Sequence, residues 1–332
     1  MSTFKEIRGF TIKKYTTNPT NPLEGQMWYN NTTGTLKVYL MGAGAWASGN
    51  ASPVAKSKGG GAGTQTANVI FAGAAPGMSN ITGEYDGTNW TTSGVYGASS
   101  YALAGFGIQT AAIGIGGMTG PGAVPTPFEY DGSTWTATPG TGTSAAALAG
   151  AGTTAAGVKM GGSTIPFANV TNSSEEWNGS SWTASPGNLN TARAYLSGFG
   201  TQTAALGAGG YKPAHATEVE TYDGSTWTAA PALPASRLSG AGSGTQAAAF
   251  YYGGNTPLPP SSITSGTGQN FDGSSWTTSP ASLGTGRRSL TGSPHGTSTA
   301  ALAVAGTAAP GFVDNTEEFT GAALATQTVT SS

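Results

Sequence analysis

The sequence predicts an all-β fold, a propeller of four-stranded blades. Three observations lead there. A seven-residue segment recurs in phase, with its closing tryptophans 45, 47, 45 and 49 residues apart. Each copy carries Asp-Gly or Asn-Gly between β-rich runs, and a stretch of small residues precedes each aromatic segment. A unit of about 40–50 residues with four strands is the period of a propeller blade.

The copies are Glu84-Tyr85-Asp86-Gly87-Thr88-Asn89-Trp90, Glu129 to Trp135, Glu176 to Trp182, Thr221 to Trp227 and Asn270 to Trp276. A sixth, decayed copy runs from Glu318 to Leu324. Upstream of each lies a Thr-Gln-Thr-Ala-Ala-like strand start and then a glycine pair, as in Gly116-Gly117, Gly209-Gly210 and Gly253-Gly254. At the ends of the array the pair decays to Ala72-Gly73 and Ala305-Gly306.

Within a unit, strand a is the segment like Ala194-Tyr195-Leu196-Ser197, and strand b is the Ala/Gly run ending in Gly-Gly. Strand c ends at the aromatic-Asp-Gly, and strand d begins at Trp-Thr. Asp86, Asp131, Asp223 and Asp272 recur once per unit, as a turn requirement predicts, and a type I′ hairpin is expected there. Blades wedge around an axis, which favours small residues on the inner strands. The bulky Trp90, Trp135, Trp182, Trp227 and Trp276 would fill the widening gap between neighbours. A parallel β-helix has shorter coils than this period.

Composition bounds the function. The 332 residues include 54 Gly, 19 Pro and no Cys, which excludes disulfides, thiol nucleophiles and thiolate metal sites. Residues 1–58 hold seven basic and two acidic groups, +5, whereas the remainder holds six and thirteen, −7. That acidic part argues against a nucleic-acid binder. The start lacks an apolar signal core, and the Ala/Gly runs are too short to span a bilayer, so no membrane insertion is expected.

The glycine pair, the aromatic preceded by an acid and the tryptophan beyond it resemble the kelch repeat over roughly residues 56–332. The resemblance implies a six-bladed kelch-type β-propeller. Arg193 and Arg237 stand at matching places early in strand a, Arg287 or Arg288 roughly so, and Lys56 or Lys58 in the first repeat. Ser100 and Ala145 interrupt the series, so no complete basic ring is expected.

Residues 1–55 read as a separate N-terminal segment, with a hairpin across Met27-Trp28-Tyr29-Asn30 and Leu36-Lys37-Val38-Tyr39. That hairpin either completes a blade and closes the ring or starts a partial seventh blade. Ala45-Trp46 echoes the strand-d tryptophan. The pattern from Asn21 to Tyr39 resembles the start of tail-associated and fibre-like proteins of tailed, T4-like marine bacteriophages. Repeats like Asn190-Thr191-Ala192-Arg193 and Gly200-Thr201-Gln202-Thr203 often follow it there.

Catalytic constellations are not visible. The copper oxidase among kelch propellers needs a Cys–Tyr crosslink, and the sialidase Asp box is spaced one residue wider than Asp-Gly-Ser-Thr-Trp. His215 and His295 lie in different repeats and read as solvated loop residues, so no metal or cofactor is expected. Glu175, Glu176, Glu218, Glu220, Glu317 and Glu318 read as solvated strand-edge charges.

Binding is expected on the variable b–c loops, between Ala74 and Gly83, Ser163 and Ser174, Tyr211 and Val219, and Asn255 and Gln269. The candidate contact residues are Pro125, Phe128, Tyr211, Lys212, His215 and Pro259. The expected function is a non-enzymatic structural virion component of a tailed phage, associated with its tail, fibre or baseplate, assembled in the host cytoplasm and present in multiple copies. It would be held to other virion proteins through residues 1–55, and its loop face would meet a host receptor or glycan. A purely architectural capsid or connector decoration and a glycan-processing propeller enzyme are the alternatives.

Overall fold

Short apolar-small strands closed by Asp-Gly turns give sheets rather than helices, and the computed structural model is all-β. It describes residues 12–41, 43–120, 122–165, 168–258 and 261–329. The chain divides into two units, residues 45–320 and residues 1–44 with 321–332.

The larger unit holds five antiparallel sheets of four strands. They run through Gly60–Gly63, Asn68–Ala74, Met78–Tyr85 and Trp90–Ser93 in the first, and from Tyr101 to Ala137, Ala149 to Ala184, Ser197 to Ala230 and Ala241 to Ser282 in the others. A sixth sheet pairs Ala300–Ala308 with Gly311–Thr320 and, from far upstream in the chain, Ala45–Gly49. Its innermost member is a single bridge, Thr291 to Val304. The repeated four-stranded antiparallel sheets are those of a β-propeller.

Each aromatic pair packs on the sheet before it. Tyr130 and Trp135 cluster with Phe71 of the first sheet, Tyr222 and Trp227 with Val158 and Met160 of the third. Tyr85 and Trp90 of the first sheet cluster with Leu302 and Val304 of the sixth. Small residues do not monopolise the inner strands, however. Phe71, Phe106, Phe199, Phe250, Tyr251 and Tyr252 are fully buried there and fill the same gaps.

Side chains of the repeat tie sheet to sheet. Gln246 Nε2 donates to the Ala205 and Tyr222 carbonyls of the preceding sheet, 3.2 and 2.9 Å, and Gln65 does the same to Ala301 and Phe319. The Tyr222 hydroxyl donates to Glu176, 2.6 Å, Tyr85 to Glu318, 2.5 Å, and Tyr130 to Glu84. Where the aromatic is Phe271 or Phe319, without a hydroxyl, the matching acid position holds Thr221 or Asn270.

Several glutamates expected at solvated edges are therefore structural. Glu175, Glu220 and Glu317 are buried in ion pairs with Lys159, Arg193 and Arg287. Each carboxylate also accepts two backbone N–H groups of the loop entering its own sheet, Asn190 and Thr191 for Glu220. A charge leaves water only where partners replace its hydration, and these loops supply them. Ala145 lacks the basic group of its column, and Lys159 on the adjoining strand supplies the cation instead.

The Asp turns are four-residue loops rather than type I′ hairpins. Only the glycine has positive φ, +92° at Gly132, and Asp131 Oδ1 accepts the N–H groups of Ser133 and Thr134, 2.8 and 2.7 Å. The carboxylate does the work that a second left-handed residue would otherwise do. Strand a also starts later than expected in the fourth sheet, at Ser197, two residues after Tyr195 with its φ of +56°.

The smaller unit is one sheet, ordered Lys13–Tyr15, Met27–Asn30, Thr35–Met41 and Leu324–Thr328. The hairpin forms, with Met27 opposite Val38 and Trp28 fully buried, and Asn30 Oδ1 accepts the Thr32 and Thr33 N–H groups in its turn. It completes no blade: the C-terminal strand pairs with it, and Ala45–Gly49 alone supplies the missing strand d of the sixth sheet. The division thus falls between Gly44 and Ala45 rather than after residue 55, and residues 321–332 leave the repeat array.

Candidate functional site

The repeats meet at a hub. Lys58, Ala102, Ala147, Tyr195, Ser239 and Ser289 all adopt left-handed φ, between 52° and 59°. Their backbones form a cycle in which Ala102 N–H donates to Lys58 O, Ala147 to Ala102, Tyr195 to Ala147, Ser239 to Tyr195, Ser289 to Ser239 and Lys58 to Ser289, at 2.6–2.9 Å. Left-handed backbone costs a residue with a side chain about 1 kcal/mol, and the reciprocal hydrogen bonds offset that cost.

A second cycle lies outside it. The second residue of each glycine pair donates to the next sheet, Gly210 to Arg237 O and Gly254 to Arg287 O, with Gly306 donating to Lys56 O. Ala72 and Ala305 hold the same left-handed geometry, φ 52° and 53°, so the decayed pairs keep the full shape. These bonds fix the columns of the repeat: Lys56, not Lys58, matches Arg193, Arg237 and Arg287.

Those arginines point into their own sheets and are fully buried rather than ringing a channel mouth. Arg237 differs from Arg193 and Arg287 in lacking a carboxylate. It bonds the Gly253 and Thr267 carbonyls and the Thr267 hydroxyl, while Gln269 occupies the glutamate's place. Lys56 is buried too, bonded to the Ile81 carbonyl, and burial pushes its ammonium down to about 7.

Three cavities follow one another along the inner strands. A narrow one of about 120 Å³ is walled by the inner-strand glycines, such as Gly61, Gly105 and Gly242. One of about 80 Å³ sits at the hub cycle. The third, about 480 Å³, opens on the side of the b–c loops and is walled by Lys58, Tyr101, Tyr195, Arg288 and Phe312 together with small residues. Lys58 Nζ lies 5.6 Å from the Tyr101 ring centroid. Burial first, and the Arg288 charge second, hold the Lys58 ammonium below its ordinary value.

The residues expected on the loops fall elsewhere. Phe128 lies in a strand, 5.0 Å from the Tyr96 ring, and belongs to the packing between the first two sheets, so it is corrected from loop contact to core. Pro125 accepts the Thr141 N–H, 2.9 Å, and props the loop after the second sheet. Tyr211, Lys212 and His215 do come together in one tight loop: Tyr211 bridges His215, and Lys212 pairs with Glu218. Partial burial lowers the His215 and His295 imidazoles, so neither is the fully solvated group expected. Pro259 lies outside the described residues. Two of the b–c loops are themselves hairpins, Ser163–Ile165 with Ala168–Val170 and Asn255–Leu258 with Ser261–Thr264.

None of the expected contact residues walls the large cavity. Lys58, Tyr101, Arg288 and Phe312 were missed as a group because they lie in four different segments. For Lys58, Tyr101 and Arg288 the signal is a long side chain in a column most of whose members are small. Among the described residues, no group of three or more His, Asp or Glu is placed to hold a metal ion.

No protein-family model and no curated protein matches the chain. Among solved structures 221 chains match, and one of them, titled "Structure of YjhT", superposes with a TM-score of 0.68 at 13% identity. The match covers 85% of this chain and 99% of that one. At such identity the likeness concerns the fold alone, and a fold shared so widely does not choose a function.

Proposed function

We propose that the chain is a binding module of a tailed-phage particle, a closed six-bladed kelch-type propeller joined in one chain to a small attachment sheet. The observation that carries the reading is the division of labour along the chain. Both ends, residues 12–41 and 324–328, are gathered into one sheet, while the repeats between them are sealed by hydrogen-bond cycles whose last members bond the first. A ring closed in this way has no free inner edge, and it presents loops and a cavity on a rigid frame.

Six blades are supported by the six left-handed hub residues and by the six inner segments that wall the narrow cavity. The phage assignment rests on the resemblance of residues 21–39 and of the repeats. The attachment sheet, with Lys13, Lys14 and Lys37, would dock on acidic neighbours in the particle, so that contact should weaken with salt. The loop side would meet a receptor or glycan of the host.

The test is particle composition and access. Purified virions encoded with this chain should contain it, and antibody against residues 45–320 should label them and slow adsorption. Absence from the particle sinks the reading. Presence with the repeats inaccessible to antibody would replace it with an architectural role.

A further inference from the structure

We propose that the large cavity binds a carboxylated sugar, with Lys58 and Arg288 taking the carboxylate and Tyr101, Tyr195 and Phe312 bounding the sugar ring. This deepens the host-surface reading above and rests on it for its biological setting.

The argument begins with broken symmetry. Two columns of the repeat face this cavity. One contains Ser57, Tyr101, Ala146, Ala194, Leu238 and Arg288, aligned by equivalent antiparallel bridges to Ala74, Met118, Ser163, Tyr211, Asn255 and Thr307. The other is the hub column, in which Ala, Ser and Tyr accompany Lys58. Stability of the ring asks only for small or apolar groups here, as most copies show. The two cations come from the last and first repeats and are brought together by closure, one wall of the cavity carrying both.

Their charge is unbalanced. No Asp or Glu belongs to the cavity wall, and among the described residues neither Lys58 nor Arg288 forms an ion pair, unlike Lys159, Arg193, Lys212 and Arg287. Two like charges held side by side and partly out of water favour an anion between them, and a guanidinium matches the two oxygens of a carboxylate. The rest of the wall is not that of an inorganic-anion site. Two tyrosines and Phe312, 41% exposed, give an apolar boundary suited to the C–H faces of a sugar. The volume, about 480 Å³, lies within the range of small-ligand pockets.

The test uses the full purified chain, with glucuronate and galacturonate as probes against glucose and acetate, followed by calorimetry or by tyrosine and tryptophan fluorescence. Saturable binding of at least one uronate is expected, with none of glucose and weaker binding of acetate. Arg288→Gln and Lys58→Gln should each weaken uronate binding roughly tenfold or more, while the melting temperature stays at or above that of the parent chain. Phe312→Ala should weaken the uronate but not acetate. No binding of either uronate, or binding indifferent to both cation variants, overturns the proposal. Acetate binding as tightly as the uronates overturns the sugar half. These measurements need no particle, so loss of the virion reading would leave them standing, and their failure would leave particle composition untouched.

Discussion

The backbone N–H of Lys58 donates to the carbonyl of Ser289 at 2.8 Å, joining the first repeat to the last. The same seam carries Gly306 to Lys56, Gln65 to Ala301 and Phe319, and Tyr85 to Glu318. The hub bond, the glycine-pair bond, the glutamine clamp and the tyrosine–glutamate bond found between neighbouring sheets elsewhere all recur there.

The sixth sheet takes its outer strand from upstream in the chain. Trp46 lies 5.1 Å from Tyr252 and 5.2 Å from Phe319, ring centre to ring centre. Trp46→Ala should cost about 3 kcal/mol, at the low end for a core tryptophan because this one is only partly buried. Denaturant unfolding reads it; a loss below 1 kcal/mol would mean the borrowed strand does not hold the ring.

The Gln of the Gly-Thr-Gln motif is a clamp. Gln246→Ala removes the donor to two carbonyls of the preceding sheet and should cost about 1–2 kcal/mol. Gln246→Glu should be worse, since it sets an acceptor against two acceptors. Equal stability of all three chains in urea would refute the clamp.

Arg237 is a buried guanidinium in a sheet where Gln269 holds the position that glutamate holds beside its counterparts. Gln269→Glu should therefore stabilise by about 1 kcal/mol, the reverse of the loss from Glu220→Gln, about 3 kcal/mol, which strands Arg193. Calorimetric melting of both variants gives the comparison, and a fall in melting temperature for Gln269→Glu would show that the fifth sheet cannot seat the carboxylate.

Lys56 sets a pH dependence. Its ammonium titrates near 7 in the folded chain and at the ordinary 10.5 when unfolded, so the unfolded chain binds the extra proton between those values. Stability should rise with pH across that window, and below it the burial cost is paid in full. Lys56→Met should be more stable at pH 6 and should flatten the rise. An unchanged slope in melting temperature against pH would place the charge elsewhere.

The inter-sheet phenols set the alkaline limit. Burial, and then Glu176, push Tyr222 up to about 12, and burial with Glu84 does the same for Tyr130. The stability tied to the neutral phenols is whole below pH 10 and is lost as pH climbs through the folded value. Ultraviolet titration should show tyrosinate from these residues only near unfolding, and Tyr222→Phe should remove one such step. Ionisation of the full set near 10 in the folded chain would contradict the packing.

Much of the propeller was legible in the chain because its causes are local and repeated. Asp-Gly at a fixed spacing marks a turn, Trp after it marks a strand, and the glycine pair marks a left-handed bend, each readable from a few neighbouring residues. What the glutamates do was not legible. Whether Glu220 faces water or Arg193 depends on a loop that folds back over it, and hydropathy alone favours water. The cavity escaped for a similar reason: Lys58 and Arg288 stand 230 positions apart in the chain, and only closure makes them neighbours. Repetition thus determined the kind of sheet and its number of copies in the sequence, whereas the charge of the hub was decided by which copies the ring brings face to face.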